Sequence, residues 1–571
     1  MCGIHGVVST AALPGISQEL KNLLSNRGPD HFGQVHRELP FENGDSVIHL
    51  NLTSTVLALR GDHVAKQPLE SPVTGSVLCW NGEAWRIDGQ PIGGKNDGEL
   101  ILAKLDAVDA SSAETRESHI LSVLRSIEGP FAFLFYDTQD KRLYFGRDRL
   151  GRRSLLSNQA EDGTSISFSS VADVPTTGWK EVPADGIYSV NLATRLATPS
   201  GLKLDTHLTR YDWVTSGGDN MVSSIGNFNM ALPPPDHKLD FDSFSVDLLK
   251  HWLCESLKLR VLDIPEPPNS LSETDVRVAV LFSGGLDSTT LARLAHDLVP
   301  PDQGIDLINV AFENPRQVSV DKTLPHLDAQ DLYEACPDRK TGRKAFAELK
   351  ATCPTRQWRF IAVNVPFEEA MSHKARVVSL MYPHDTEMDL SIAFALYFSA
   401  RGIGHAYTRT WEWQPDPPSV TSPARVLLSG LGADELFGGY SRHEIAFKTG
   451  GYPRLLDELR LDIARIGHRN LGRDDRVMAH WGKEVRHPFL DEGLVRFAVG
   501  TPVWEKCDFQ NPFHPAVIDP AKRVLRLMAD KLGLKAIARE KKRAIQFGSR
   551  TANIESRTGK RRGTAAITEV V

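Results

Sequence analysis

A chain of 571 residues is about four times the usual length of a single domain, so two or more domains are expected. Its 66 Lys and Arg against 72 Asp and Glu leave a formal net charge of −6, and 41% of its residues are hydrophobic. That balance excludes a generally basic nucleic-acid coat and a disordered polyelectrolyte, and it is enough to build full-sized cores. The 6 Cys (Cys2, Cys79, Cys254, Cys336, Cys353 and Cys507) are scattered without paired spacing, which excludes a disulfide framework and a local metal knuckle. No apolar run approaches the roughly eighteen residues of a membrane span. The N-terminus lacks the basic-then-apolar order of a signal peptide. The chain reads as a cytoplasmic multidomain protein with no membrane partner.

The first 200 residues or so carry short strand signals. Val77–Trp80 and Pro130–Tyr136 are β-branched or aromatic runs bounded by turn residues such as Asn81-Gly82 and Asp137-Thr138. A helix is predicted over Gly98–Leu105 after Asn96-Asp97, with Leu100, Ile101 and Lys104 at helical spacing. From Thr215 to His237 the composition turns to Ser, Gly and Pro, as in a linker or crossing segment. Helices and buried strands then alternate: a helix over Asp247–Leu259, a strand over Val276–Phe282, a helix over Ser288–Leu298, and strands over Leu307–Phe312 and Phe360–Val365. This alternation predicts a doubly wound α/β domain. Residues 521–571 hold 14 Lys and Arg against 4 Asp and Glu. That fits either a solvated helix and tail or a site for polyanions, a nucleotide's phosphates or RNA.

Met1-Cys2-Gly3-Ile4 places a thiol where removal of Met1 gives the same residue a free α-amine. With an unperturbed pKa of about 8, that amine is a general base for its own side chain, so one residue supplies both nucleophile and base. Attack on a carboxamide also needs donors for the developing oxyanion, which an Asn side chain beside a Gly N–H can provide. Asn81-Gly82 fits, although that dipeptide is ordinarily a hairpin turn. An amino-acid substrate needs a cation for its α-carboxylate and an anion for its α-ammonium, and by charge Arg60 and Asp97 suit those places. Taken with Asn26-Arg27-Gly28-Pro29-Asp30, Trp80-Asn81-Gly82-Glu83 and Gly146–Arg153, the region resembles the class-II glutamine amidotransferases over about 200 residues. The resemblance implies an α+β, Ntn-hydrolase-like αββα sandwich. In it Cys2 is the nucleophile, Asn81 and Gly82 are the oxyanion hole, and Arg60, Glu83 and Asp97 complete the glutamine pocket.

Ser283-Gly284-Gly285-Leu286-Asp287-Ser288 lies between a predicted buried strand and a striped helix. Glycines let backbone wrap a phosphate, and the helix start adds partial positive charge. Asp287 beside a polyphosphate calls for a cation between them, and Asp434, in Ser429-Gly430-Leu431-Gly432-Ala433-Asp434, supplies a second carboxylate for Mg²⁺. The loop resembles that of the ATP pyrophosphatases. It is not a kinase-type phosphate loop, which needs Gly-Lys-Ser/Thr.

The order of motifs resembles glutamine-hydrolysing asparagine synthetase over most of the chain. The closer match is the branch called asparagine synthetase domain-containing protein, through Pro337–Arg343, Gly438–His443, Arg469–Arg476 and Lys542–Arg550. By resemblance, adenine lies near Leu281 and Val310, phosphates lie at Ser283–Ser288 with Ser429 and Gly430, and a Lys neutralises pyrophosphate. Lys541 and Lys542 both stand in position for that last role, and the branch pattern favours Lys542. The implied division is an amidotransferase domain at 2–210, a linker at 211–240, an α/β doubly wound parallel-sheet ATP-pyrophosphatase domain at 241–555, and a disordered basic tail at 556–571. ATP and Mg²⁺ are the implied cofactors. Glutamine and aspartate, or another carboxylate, are the implied substrates.

Two departures stand out. Synthetases carry Glu where this chain has Leu431, and about twenty extra residues, 316–335, precede Pro337. Three functions remain open on these residues: amide formation on aspartate, amide transfer to another carboxylate or to RNA, and a descendant kept as a glutaminase or interaction protein.

Overall fold

The computed structural model describes all residues except 1, 13–14, 41–46, 108–114, 174–176, 193–207, 215–225, 268–274, 316–328, 410–416, 514–515, 553, 555–562 and 568–571. Most of the expected insertion, the middle of the expected linker and most of the basic tail therefore lie outside the described residues. The chain forms two compact units. The first comprises Met1–Ser224 with Asp263–Ser270 and Ile466–Lys483, and the second comprises Ile225–Leu262, Leu271–Arg465 and Glu484–Val571.

In the first unit the strands are β1 (Gly3–Ser9), β2 (His31–Pro40), β3 (Val47–Val56), β4 (Leu69–Glu70), β5 (Val77–Gly82), β6 (Phe131–Asp137), β7 (Arg142–Arg147), β8 (Leu156–Gln159), β9 (Ser165–Ser169), β10 (Lys180–Glu181), β11 (Ile187–Asn191) and β12 (Leu208–Tyr211). They make two six-stranded antiparallel sheets, ordered β10-β8-β9-β1-β3-β2 and β12-β11-β7-β6-β5-β4. Alternate residues of both sheets, among them Ile4, Val8, Leu50, Leu52, Leu134, Phe145 and Phe168, meet in one apolar core. Helix α1 (Gln18–Arg27), capped by Ser17, covers the outer face of the first sheet, where Leu24 lies against Gly3. Helices α2 (Asp97–Asp106) and α3 (Arg116–Ser126) cover the second sheet, burying Ile101, Leu105, Ile120 and Leu124 against Trp80, Phe131, Phe133 and Phe135. The layers run helix, sheet, sheet, helix, the αββα order expected from the motifs.

One feature of this unit has no counterpart in the sequence division at residue 210. Helix α9, described below and lying within Ile466–Lys483, packs into the first unit through buried charge. Asp475 accepts from Arg27 at 2.8 Å, with both side chains fully buried, and from the Ser154 N–H at 3.1 Å. Arg476 reaches Glu181 at 2.8 Å and the Ser154 hydroxyl at 2.9 Å. Burial works to raise the Asp475 carboxyl, but Arg27 and Arg153 outweigh it and hold it low. Gly472 lets the helix approach Glu181, whose carboxylate oxygen a Cβ would meet at 2.1 Å.

In the second unit, α4 (Phe244–Val261), β13 (Val278–Leu281), α5 (Leu286–Leu298), β14 (Ile305–Phe312), α6 (Pro337–Thr352), β15 (Trp358–Val365), β16 (Ile403–Tyr407), β17 (Ser419–Thr421), β18 (Val426–Leu428), α7 (Ala433–Phe437), α8 (Ser441–Arg469, bent at Gly451), α9 (Leu471–Ala479, which packs in the first unit), β19 (Glu484–Arg486) and α10 (Arg523–Lys531) are the principal elements. The seven-stranded sheet is ordered β17-β16-β15-β14-β13-β18-β19. Strands β15, β14, β13, β18 and β19 run parallel, whereas β16 and β17 add antiparallel to the edge. The expected all-parallel sheet is therefore mixed. Parallel strands covered on both faces explain why β14 is buried at every position, Asp306 and Asn309 included.

The end of the insertion is helical over Ala329–Glu334, and the Glu334 carboxylate holds Arg339 and Arg343 of α6, each at 2.9 Å. One expectation needs correction. The expected disordered tail is ordered at residues 563–567, which hydrogen-bond to 385–388 through Glu387 N–H to Ala565 O (3.0 Å), Met388 N–H to Gly563 O (3.0 Å) and Ile567 N–H to Asp385 O (2.8 Å). Backbone pairing needs no sequence signature, so a basic tail can form a bridge that its composition hides.

Candidate active sites of the two units

In the first unit, five consecutive residues gather the amidotransferase motif. The Cys2 nitrogen donates to Asn81 Oδ1 at 3.0 Å, and Glu83 forms an ion pair with Arg60. Asp97 Oδ2 accepts from Trp80 Nε1 and from the Ala84 N–H, both at 2.9 Å. Strand β5 and its continuation, Trp80–Ala84, thus touch every one of Cys2, Arg60 and Asp97. Asn81 and Gly82 are strand residues rather than a hairpin turn. Gly82 also has a packing reason to be glycine: a Cβ would lie 2.3 Å from Pro130 O and 2.6 Å from Phe131 Cα.

The electrostatics distinguish these groups. Asn81 is fully buried, and its Nδ2 has no hydrogen-bond partner although its Oδ1 is engaged. A buried donor left so costs about 1–3 kcal/mol, which a ligand oxygen would recover. Burial raises the Asp97 carboxyl, although the Arg60 guanidinium works the other way. Arg60 also donates to Gly93 O at 2.6 Å and lies 4.9 Å over the Trp85 ring. Of two further neighbours of Cys2, Gln67 carries no motif and Arg27 belongs to the Arg-Gly-Pro-Asp motif. Buried Gln67 places Nε2 3.8 Å from Cys2 Sγ while its Oε1 accepts from the Trp80 N–H, and Arg27 Nε donates to Cys2 O at 3.3 Å.

In the second unit the phosphate-loop residues sit at the carboxyl end of β13, where ligands bind in open α/β sheets. Helix α5 starts two residues earlier than predicted, so Leu286, Asp287 and Ser288 form its first turn after Gly285. Gly284 has φ +76° and packs on α6, where a Cβ would meet Gly342 Cα at 2.4 Å. Only glycine suits both conditions. Ser429 and Gly430 follow β18, the neighbour of β13, and a Cβ on Gly430 would lie 2.8 Å from Asp287 Cβ. Leu281 ends β13, and Val310 lies in adjoining β14. Leu431 follows Gly430, half-buried, its N–H reaching Ser429 Oγ at 3.3 Å.

Ser283, Gly285, Leu286, Asp287, Ser288, Asp434 and Lys542 line one open cleft of about 500 Å³. Sequence reasoning missed the residue at its centre. The Lys522 ammonium, only 3% exposed, lies 2.7 and 2.8 Å from the two Asp287 oxygens and 2.8 Å from Asp434. Lys542 reaches Asp434 at 2.5 Å, and Lys541 and Arg543 also line the cleft. Burial works to raise the Asp434 carboxyl, yet Lys522 and Lys542 together hold it far below the usual range. Asp287 moves the other way, raised by burial and by Asp434 against the pull of Lys522. The two carboxylates that share one ammonium are thus shifted in opposite directions, Asp434 down and Asp287 up. Asp338, at the start of α6, is pushed up to about 7 by burial, with Arg543 opposing. Gly548 leaves room for it, since a Cβ there would stand 2.0 Å from Asp338 Oδ1.

Two carboxylates from different loops that reach one cation at these distances are hard oxygen donors set close enough to share a Mg²⁺, so the donor set fits that ion. Lys522→Met is expected to destabilise the protein by about 3 kcal/mol, measured by chemical denaturation. That is the low end for an uncompensated buried charge, because Asp287 and Asp434 keep 22% and 18% of their surface open. An unchanged denaturation midpoint would show that Lys542 alone compensates the pair.

Both units have relatives among known proteins. Residues 1–181 match the glutamine amidotransferase domain family, and residues 448–562 match the asparagine synthase family. The chain is 34% identical to bovine (Bos taurus) asparagine synthetase domain-containing protein 1 over 98% of its own length and 97% of that protein. It is 34% identical to the human (Homo sapiens) protein of the same name, covering 97% and 96%. Human asparagine synthetase [glutamine-hydrolyzing] is 24% identical over 88% of this chain and 77% of that one. The chain belongs to the asparagine synthetase domain-containing protein family, a group of asparagine synthetase-like glutamine amidotransferases. Among the described residues, no helix is long and apolar enough to cross a membrane.

Proposed function

We propose that the protein hydrolyses glutamine at Cys2 and uses the ammonia to amidate a carboxylate that its second unit activates with ATP. The observation that carries the reading is the divided engagement of Asn81. Its oxygen holds the Cys2 nitrogen, which becomes the α-amine once Met1 is removed, while its buried Nδ2 keeps a donor unused. The amine takes the thiol proton, and the Cys2 sulfur attacks the glutamine carboxamide carbon. The oxyanion accepts from Asn81 Nδ2 and from the Gly82 backbone, and ammonia leaves with the returned proton. Water then cleaves the thioester to glutamate. Arg60, Glu83 and Asp97 orient the amino-acid end of glutamine.

In the second unit, Leu281 and Val310 border the base of ATP, and Ser283–Ser288 with Ser429 and Gly430 cradle its phosphates. An acyl carboxylate displaces pyrophosphate, Lys542 neutralises the departing charge, and ammonia displaces AMP from the acyl adenylate. Mg²⁺ held by Asp287 and Asp434 would lower the charge on the phosphates. Asp287, Asp434, Lys522 and Lys542 sum to no net charge, so the ion enters with the nucleotide. Aspartate is the default acceptor. Leu431 favours a second reading in which the acceptor is another carboxylate, or in which amide formation is slow beside glutamine hydrolysis.

The test is pyrophosphate release from ATP with glutamine across a panel of carboxylates. Release with none of them sinks the synthetase half of the reading. Asp287→Asn and Asp434→Asn are each expected to weaken Mg²⁺–ATP binding by about 1–3 kcal/mol, the worth of a charged contact, in titration calorimetry. Wild-type affinity in both would remove them from the site.

A further inference from the structure

The outward face of the β2–β3 hairpin carries a group that neither catalytic site uses. In the antiparallel register His36 stands opposite Asn51, and Glu38 stands opposite His49. Val35 on β2 and Ile48, Leu50 and Leu52 on β3 point inward to the core, so these four polar side chains share the solvent face at the edge of the sheet. His36 Nε2 lies 3.6 Å and His49 Nδ1 3.7 Å from the same Glu38 oxygen, and all three atoms are within 4.8 Å of one another. The two imidazoles stack with centroids 5.8 Å apart.

Both separations are too long for hydrogen bonds and short enough for atoms that share an ion. Zinc bonds of about 2.1 Å place tetrahedral neighbours roughly 3.4 Å apart. The orientation is set from behind as well. Asn51 Oδ1 can only accept, so His36 Nδ1 carries the hydrogen of that contact, and Nε2, on the Glu38 side, is the ring nitrogen available to a metal. Fixing a ligand's tautomer through its other ring nitrogen is how metal-binding histidines are positioned. The remaining charge in the neighbourhood does not fill that place: Arg37, the next residue on β2, pairs instead with Glu70.

We propose that His36, Glu38 and His49 form a binding site for a borderline divalent transition metal, Zn²⁺ in the first instance. His36 Nε2, His49 Nδ1 and a Glu38 oxygen are its protein ligands, and water completes the shell. Two imidazoles and a single carboxylate select Zn²⁺ over Mg²⁺ or Ca²⁺, which take all-oxygen shells. The ion clips the edge strand β2 to β3 and fixes their register. It lies on a different face from the Cys2 chemistry and takes no part in it.

The test is Zn²⁺ titration of the full chain by calorimetry in a Cys2→Ser background, which removes the competing thiol. One tight equivalent is expected, weakened at least tenfold by His36→Ala, by His49→Ala and by Glu38→Gln, and accompanied by a zinc-dependent rise in melting temperature that the three variants lose. With Cys2 present, the same three substitutions leave glutaminase activity unchanged. All three side chains are at least partly exposed, so the variants fold, as circular dichroism will verify. Zinc binding of equal stoichiometry and affinity in the His36→Ala, His49→Ala double variant, or no binding by the parent chain, overturns the proposal.

Discussion

Cys2→Ala is expected to abolish glutamate release from glutamine while leaving nucleotide binding untouched. The Cys2 nitrogen is held by Asn81, which keeps the thiol beside it, and alanine leaves no sulfur to attack. The same loss is expected when Met1 is retained or an N-terminal tag is added, because the nitrogen hydrogen-bonded to Asn81 would then be an amide without basicity. Asn81→Ala retains the thiol but removes the buried donor, and a loss of about 10²–10³ in kcat is expected for one oxyanion contact. Glutamate production followed in a coupled assay separates the cases. Undiminished turnover in Cys2→Ala would refute the assignment, and a purely KM effect in Asn81→Ala would move that residue from the oxyanion to the binding pocket.

The second large effect concerns Leu431. The chain turns after β18 so that Gly430 presses on Asp287, and the next side chain is a half-buried leucine. Leucine offers no proton acceptor to an ammonia attacking an acyl adenylate, a role worth about 10²–10⁴ in rate. Aspartate-dependent asparagine formation by the wild type is therefore expected to be weak or absent even where ATP and glutamine both bind. Leu431→Glu is expected to raise it by a factor within that range, read by chromatography of the amide product. Robust wild-type synthesis that Leu431→Glu does not improve would show the carboxylate to be dispensable here.

Residues whose chemistry depends on near neighbours in the chain were legible. The Ser283–Ser288 loop and the strand–helix alternation around it are local patterns, and the structure places them on the expected elements. Residues that act across long separations were not. Lys522 follows Pro520-Ala521 with no motif around it, and its place between Asp287 and Asp434 arises only when α10 and two strand-end loops converge. Gln67 likewise reads as an ordinary polar residue until β5 brings Trp80 and Cys2 to it. The Asn81-Gly82 pair carries the converse lesson: a dipeptide that usually turns a chain here stays extended, because it pairs with Ala132 and Phe131 of β6. The antiparallel edge strands β16 and β17 escaped because a strand's direction is set by its partner, not by its own composition.

The embedding of Asp475 in the first unit bears on how the protein is made. A ribosome delivers the chain from Cys2 onward, and by the time the last strand of the amidotransferase sandwich, β12, has emerged, Arg27 has no acidic partner for its buried guanidinium. That partner arrives only with residue 475, after the greater part of the seven-stranded sheet has been synthesised. Until then the arginine that donates to the Cys2 carbonyl lacks the carboxylate that answers its charge in the finished chain. A fragment ending near residue 224 is therefore expected to be less stable than the same unit in the full chain, read by chemical denaturation of the two.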